Sequence, residues 1–266
     1  MDSKVKKALN TYTSTELMVV RASQELANSE IVFVGIGLPN LACVLARETH
    51  APNLFMIYES GAIGTTPERL PISIGDPCLV TGSLSIVSQA DIFQTYLQSG
   101  RIEVGFLGGA QIDRWGNINT TVIGDYENPS IRLPGSGGAC EIAAHSRKLL
   151  IVMKMSAKTF VDRCDYITSP GHKYYPNKDS EPRSRSEFNL PGPGPTKVVT
   201  DLGVLEFIDG EMTLTEIYPN VTAEDVKSSV SWDLCVAAEL RTTPSPSEET
   251  LKKLRLEVDP DRLYLN

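Results

Sequence analysis

The chain has 266 residues, 41% apolar and 22% charged, with 20 glycines and 17 prolines. That is the composition of a folded soluble protein and excludes a disordered tail, a collagen-like fibre and a coiled coil. Thirty-three acidic against 25 basic residues leave a formal charge of −8, so neither nucleic acid nor an anionic membrane is expected as the main partner, although a local basic patch could still take an anionic ligand.

At this size a single α/β domain over 1–266 can bury most of the apolar surface of the unfolded chain. The first ten residues, MDSKVKKALN, lead into no apolar leader segment, and the apolar runs are short, such as LLIVM at 149–153. A protein that is neither exported nor membrane-spanning, and therefore cytoplasmic, is expected. The five cysteines, Cys43, Cys78, Cys140, Cys164 and Cys235, are widely spread and form no C-x-x-C pair, which fits reduced thiols. His50, His145 and His172 share no ligand-type spacing, so no metal is expected.

Thr13 and Glu16 have capping-box spacing, and Met18, Ala22 and Leu26 recur every four residues. The pattern predicts a helix to about Asn28. IVFVG from Ile31 and LFMIY from Leu54 to Tyr58 are β-branched or apolar runs that read as strands buried on both faces, with a helix from Leu41 to about Thr49 between them. Further strands are predicted at Glu103 to Leu107, Leu149 to Met153 and Tyr166 to Thr168. This alternation predicts an α/β fold with an open, mainly parallel sheet flanked by helices. Residues 171–195 hold five prolines, three glycines and the mixed-charge run SEPRSRSE, and read as an exposed, partner-facing loop. KVVTDLGVLEF and MTLTEIY flank a turn at Asp209-Gly210 and predict a hairpin or meander. Capped helices are expected from about Thr222 and from Ser247 to Val258.

Three segments can carry chemistry. Gly35-Ile36-Gly37-Leu38-Pro39-Asn40 follows a strand, but Asn40 stands where a dinucleotide fingerprint needs its third glycine. The turn is read instead as a pantetheine contact or as purely structural. Glu59 follows the strand LFMIY, at the end where an open parallel sheet forms its ligand crevice. Position alone leaves a site-facing carboxylate and a solvated strand-end glutamate equally open. Gly135-Ser136-Gly137-Gly138-Ala139 cannot form a regular element at normal cost. Such a loop either exposes N–H groups that can hold an oxyanion or makes a tight turn between core elements. The second glycine cluster, from Gly108 through Asn117, reads as architectural.

Taken together, ESG at Glu59, GGAQIDRWGNINTT at 108–121, IGDYENP at 123–129, GSGGA at 135–139 and DYITSPG at 165–171 resemble the β subunit of class I coenzyme A transferases, most of all the glutaconate CoA-transferase type. The likeness runs in the same order from residue 14 to residue 260. It implies the class I CoA-transferase fold and a heteromer with a homologous α subunit. It also implies a glutamate nucleophile, matching Glu59, that carries coenzyme A as a thioester. The family's GxGGA loop, which helps form the oxyanion hole, matches Gly135 to Ala139. Acyl-CoA and small carboxylic acids would be the substrates, coenzyme A acting as a substrate with no permanently bound cofactor. Acyl-CoA hydrolases and decarboxylases use the same scaffold and are the alternative, followed by a non-enzymatic ligand sensor. Retention of Glu59 favours transfer. The acyl group is not readable from one half of a two-chain site.

Overall fold

The predicted capping box forms: Thr13 Oγ1 accepts from the Glu16 N–H at 3.1 Å, and Glu16 Oε2 accepts from the Thr13 N–H at 2.8 Å. The structure is a computed structural model that describes residues 11–177 and 180–265, so the first ten residues, read above as lacking a leader, lie outside the described residues. Helix α1 (Ser14–Ser23) opens from this box. It stops short of Asn28 because the chain turns there, with Ser29 in the left-handed region at φ 70°.

Strand β1 (Ile31–Phe33), helix α2 (Leu38–Glu48) and strand β2 (Phe55–Ile57) make the predicted βαβ unit. Next come short strands β3 (Ala62–Ile63) and β4 (Ser85–Ile86), then helix α3 (Gln89–Asp91), which continues as a π-helical stretch, Ile92–Leu97. Strand β5 (Val104–Leu107) precedes two small antiparallel pairs, β6 (Gln111–Ile112) with β7 (Ile118–Asn119) and β8 (Val122–Gly124) with β9 (Pro129–Arg132). Helix α4 (Ala139–His145) leads into β10 (Lys148–Val152). The expected strand at Tyr166 to Thr168 does not form. Thr168 Oγ1 instead accepts from the Thr120 N–H at 2.9 Å and bonds Thr121 Oγ1 at 2.7 Å, leaving only an isolated bridge at Ser169.

Within 171–195, β11 (Lys173–Tyr174) pairs with β12 (Arg183–Ser184), and a 3-10 turn follows at Arg185–Phe188. Strands β13 (Pro195–Val199), β14 (Gly203–Ile208) and β15 (Glu211–Ile217) form the predicted meander. Asp209 and Gly210, at φ 54° and 80°, give its tight turn the left-handed backbone that such hairpins need. Helix α5 (Ala223–Lys227) is capped by Thr222, strand β16 (Cys235–Thr242) follows, and α6 (Glu248–Lys253) continues as a π-helical stretch, Leu254–Val258.

Among the described residues ten strands share one sheet in the order β16-β15-β14-β13-β10-β5-β1-β2-β3-β4. Its centre is parallel: β2, β1, β5, β10 and β13 all run the same way. Alternate side chains serve opposite faces, Val32 and Leu150 packing with α1 and α2, and Phe33 and Ile151 packing with Ile92 and Ile142. Burial on both faces is why these strands read as unbroken apolar runs. Parallel strands point their carboxyl ends to one edge, which fixes where a site can sit.

Candidate active site

At that edge the ends of β2, β1 and β5 deliver Glu59, Gly35 and Gly108 to one cavity of about 360 Å³, roofed by residues 134–139. The sequence therefore identified two features, Glu59 and the GSGGA loop, that lie far apart along the chain and that the fold brings together. Gly35 lines the same cavity, and Gly37 does not: it caps α2 at φ 93°. Pro39 in the first turn of α2 also reaches the cavity, so the GIGLP turn is one of its walls.

Glu59 is presented by a tight turn in which the Gly61 N–H donates to Tyr58 O at 3.0 Å. Gly61 has φ 105°, and a methyl group there would collide with the Val87 carbonyl, so the backbone that carries the carboxylate requires a glycine at 61. Glu59 is half-buried, and burial pushes its carboxyl above the usual carboxylate range. No basic side chain of the described residues lines the cavity to offset that charge.

The loop is pinned from outside. The Gly135 N–H donates to Thr120 O at 2.9 Å, and Thr120 Oγ1 returns a bond to Gly135 O at 2.8 Å. The Ala139 N–H is taken by Ser136 O at 2.8 Å. Among the described residues no acceptor meets the N–H groups of Ser136, Gly137 or Gly138, so these three remain for a ligand. Gly138 is the point of closest approach: a methyl group on it would stand 3.0 Å from Glu59 Oε2 and would overlap the Phe93 ring. Carboxylate, unbonded amides and apolar walls thus meet in one place, which suits attack on a carbonyl whose oxygen gains negative charge.

The 108–121 segment is the framework behind the loop. Asp113, fully buried, accepts from the N–H groups of Trp115 and Asn117 and from Asn117 Nδ2. Burial pushes its carboxyl up to about 7 against those donors. Ile74, which lines the cavity, and Phe93, whose ring packs against Gly138, are not legible in the sequence, since each arrives by tertiary packing from a segment with no motif. A larger cleft of about 1010 Å³, walled by Tyr126, Tyr166, Tyr175 and Phe188, contains none of the predicted site residues. Among the described residues no cluster could hold a metal ion, and no helix is long and apolar enough to cross a membrane. All five cysteines are unpaired.

The coenzyme A transferase family model matches residues 15–229. The chain belongs to the coenzyme A transferase family. It is 45% identical over 249 residues to the B-type subunit of 3-oxoadipate CoA-transferase from Pseudomonas knackmussii, covering 93% of this chain and 94% of that protein. It is 34% identical to the B-type subunit of glutaconate CoA-transferase from Acidaminococcus fermentans over 96% of this chain and 95% of that one. The crystal structure of the Acidaminococcus fermentans glutaconate enzyme superposes with a TM-score of 0.87, covering 96% of this transferase and 98% of the matched chain. The mainly parallel sheet with flanking helices is the fold of that enzyme. This transferase is thus a B-type subunit whose activity is coenzyme A transfer. Decarboxylases share the fold at 22% identity with a TM-score of 0.81.

Proposed function

We propose that Glu59 is the nucleophile of this transferase and that the Ser136, Gly137 and Gly138 amides hold the oxyanion. The Glu59 carboxylate attacks the thioester carbonyl of an acyl-CoA, and the carbon–sulfur bond breaks to release the CoA thiolate and leave a mixed anhydride. The thiolate then attacks the glutamyl carbonyl, expelling the acid as carboxylate and leaving coenzyme A as a thioester on Glu59. An acceptor acid reverses both steps. The single observation that carries this reading is the half-buried Glu59 carboxylate set against the loop's three unbonded amides. Partial removal of water favours the attack and protects both intermediates from hydrolysis.

The acid's own carboxylate needs a cationic or hydrogen-bonding partner, and the cavity wall built by this chain offers no basic side chain among the described residues. That group is assigned to a homologous α-type subunit, in keeping with relatives that are themselves named as B-type subunits. Small dicarboxylic acids are the acceptor class to test first, because the relatives' names specify 3-oxoadipate and glutaconate.

The assembled enzyme, incubated with acyl-CoA and no acceptor acid, should yield this chain heavier by one CoA moiety, mapped by peptide mass spectrometry to the Glu59 segment. Glu59→Ala should lose both the adduct and transfer. An adduct mapped elsewhere, or wild-type transfer by Glu59→Ala, would remove Glu59 from the role. Acyl-CoA hydrolysis or decarboxylation with no adduct and no transfer would favour the other chemistry of this scaffold.

A further inference from the structure

Arg185 and Gly192, from the SEPRSRSE and PGPGP sequences, meet the C-terminal end of the site helix α4. Arg185 is 5% exposed, although its neighbours Ser186 and Glu187 are exposed. Its guanidinium meets no carboxylate among the described residues. It donates instead to five backbone carbonyls: Gly192 O at 2.7 Å, Pro170 O at 3.0 Å, Gly171 O at 3.3 Å, Ala143 O at 2.6 Å and Ala144 O at 3.1 Å. Ala143 and Ala144 belong to the last turn of α4, whose carbonyls carry the negative end of the helix dipole. The Gly192 N–H reaches the same Ala144 O at 2.7 Å. Helix α4 is therefore gripped at its C-terminal end by two residues of the 171–195 segment, while its N-terminal end continues directly from Gly138.

We propose that Arg185 is a positioning residue for the amides of Ser136, Gly137 and Gly138, acting through α4 and without touching substrate. The inference rests on the reading of Glu59 and its loop given above. A helix transmits an axial shift from one end to the other, because its hydrogen bonds lock successive turns. Ile142, on the same helix, lines the cavity and would move with it. A planar group with five N–H donors can serve carbonyls converging from three stretches of chain at once, which an ammonium on a flexible stem cannot reproduce. Burying a cation with no counter-charge is otherwise costly, so its presence here needs a compensating set of oriented dipoles, and the carbonyls supply it.

The test compares Arg185→Lys and Gly192→Ala with wild type in the assembled two-chain enzyme, turnover being normalised to folded complex measured by sedimentation. A methyl group at Gly192 would stand 2.7 Å from Ala144 O and 2.9 Å from Ser146 O, so this variant displaces the same helix end from a second side. Misplacement of about 1 Å can cost about 100-fold. Both variants should lose roughly 10- to 100-fold in kcat with KM for acyl-CoA little changed, since the amides gain their strongest bond only as the oxyanion forms. Added guanidinium should restore turnover to Arg185→Gly. Unchanged kcat per folded complex, with only a lowered Tm, would make Arg185 a purely structural residue and overturn the proposal. Failure of both variants to assemble would do the same. Absence of a Glu59 adduct in wild type would refute the nucleophile reading separately, because the kcat comparison does not depend on that adduct.

Discussion

At Glu59 the cost of holding a carboxylate beside apolar walls becomes visible as a pH effect. Its folded-state pKa is raised by burial, so the native chain holds the proton to higher pH than the unfolded chain does. The sign follows from linkage: the stabilising contribution is complete below the ordinary carboxylate range and is lost as pH rises through the folded-state value. Glu59→Gln cannot ionise and should therefore show a higher Tm than wild type at neutral pH, the advantage shrinking in acid. Thermal melts of both chains between pH 4 and 8 check this, and an unchanged difference across that range would contradict it. On the proposal that Glu59 is the nucleophile, catalysis should follow the opposite course, because only its carboxylate form would attack. The acid limb of kcat/KM should lie above the ordinary carboxylate range in a pH–rate profile.

The GSGGA loop separates two ways in which a glycine can be required. Gly137 has φ 48° and open space around its missing side chain, whereas Gly138 has an ordinary φ but faces Glu59 and Phe93. Gly137→Ala should cost about 1–2 kcal/mol of stability from the left-handed backbone and leave much of the turnover. Gly138→Ala pushes a methyl group into the reacting space, and disturbance of an oxyanion donor typically costs about 100- to 1000-fold. Paired measurements of Tm and kcat should therefore separate them, Gly137→Ala losing Tm at near-normal kcat and Gly138→Ala losing kcat. Near-normal kinetics in Gly138→Ala would reduce the loop to a tight turn. The same contrast explains what the sequence made legible. Glu59, the loop and the central strands could be read because each is written in contiguous residues, as a capping box, an apolar run or a glycine cluster. Phe93 and Ile74 could not, since their role exists only after α3 and the 70–76 stretch pack over the strand ends. Tyr166 to Thr168 misled for a related reason: its β-branched residues suit a strand, but the Thr168 hydroxyl is used to hold the Thr120–Thr121 corner. Nor did the polar, proline-rich character of 171–195 reveal that Arg185 is buried there.

Across the whole molecule the proposed α-type partner predicts dependence on a second chain. The isolated chain should not exchange coenzyme A between acids, and co-expression with a homologous α-type chain should give a stable active complex. A lone chain that transfers at the full rate would disprove this. At the sheet edge Leu84 and Ile86, beside and on β4, are 76% and 62% accessible, and Ile72, two residues before the cavity residue Ile74, is 69% accessible. Such exposed apolar residues are where the proposed α-type chain is expected to pack. Leu84→Lys should weaken the complex in sedimentation while leaving the Tm of the isolated chain unchanged; an unaltered complex would move the contact elsewhere.

The central position of β1 has a consequence for how the protein comes into being. Its neighbours β2 and β5 arrive at very different times, since Ile31 is joined to Phe55 on one side and, on the other, bonds Glu103, a residue 72 positions further along. Closing so long a stretch of chain is slow compared with winding a helix. In pulse-labelled refolding the Leu41 amide of α2 should gain protection from exchange before the Glu103 amide does, and simultaneous protection would contradict this order. A polypeptide still emerging from the ribosome, with its glycine roof not yet made, would hold Glu59 open to water. The cavity around Glu59 is then closed late in the making of each new chain, when β5 has docked and residues 134–139 have folded over the strand ends.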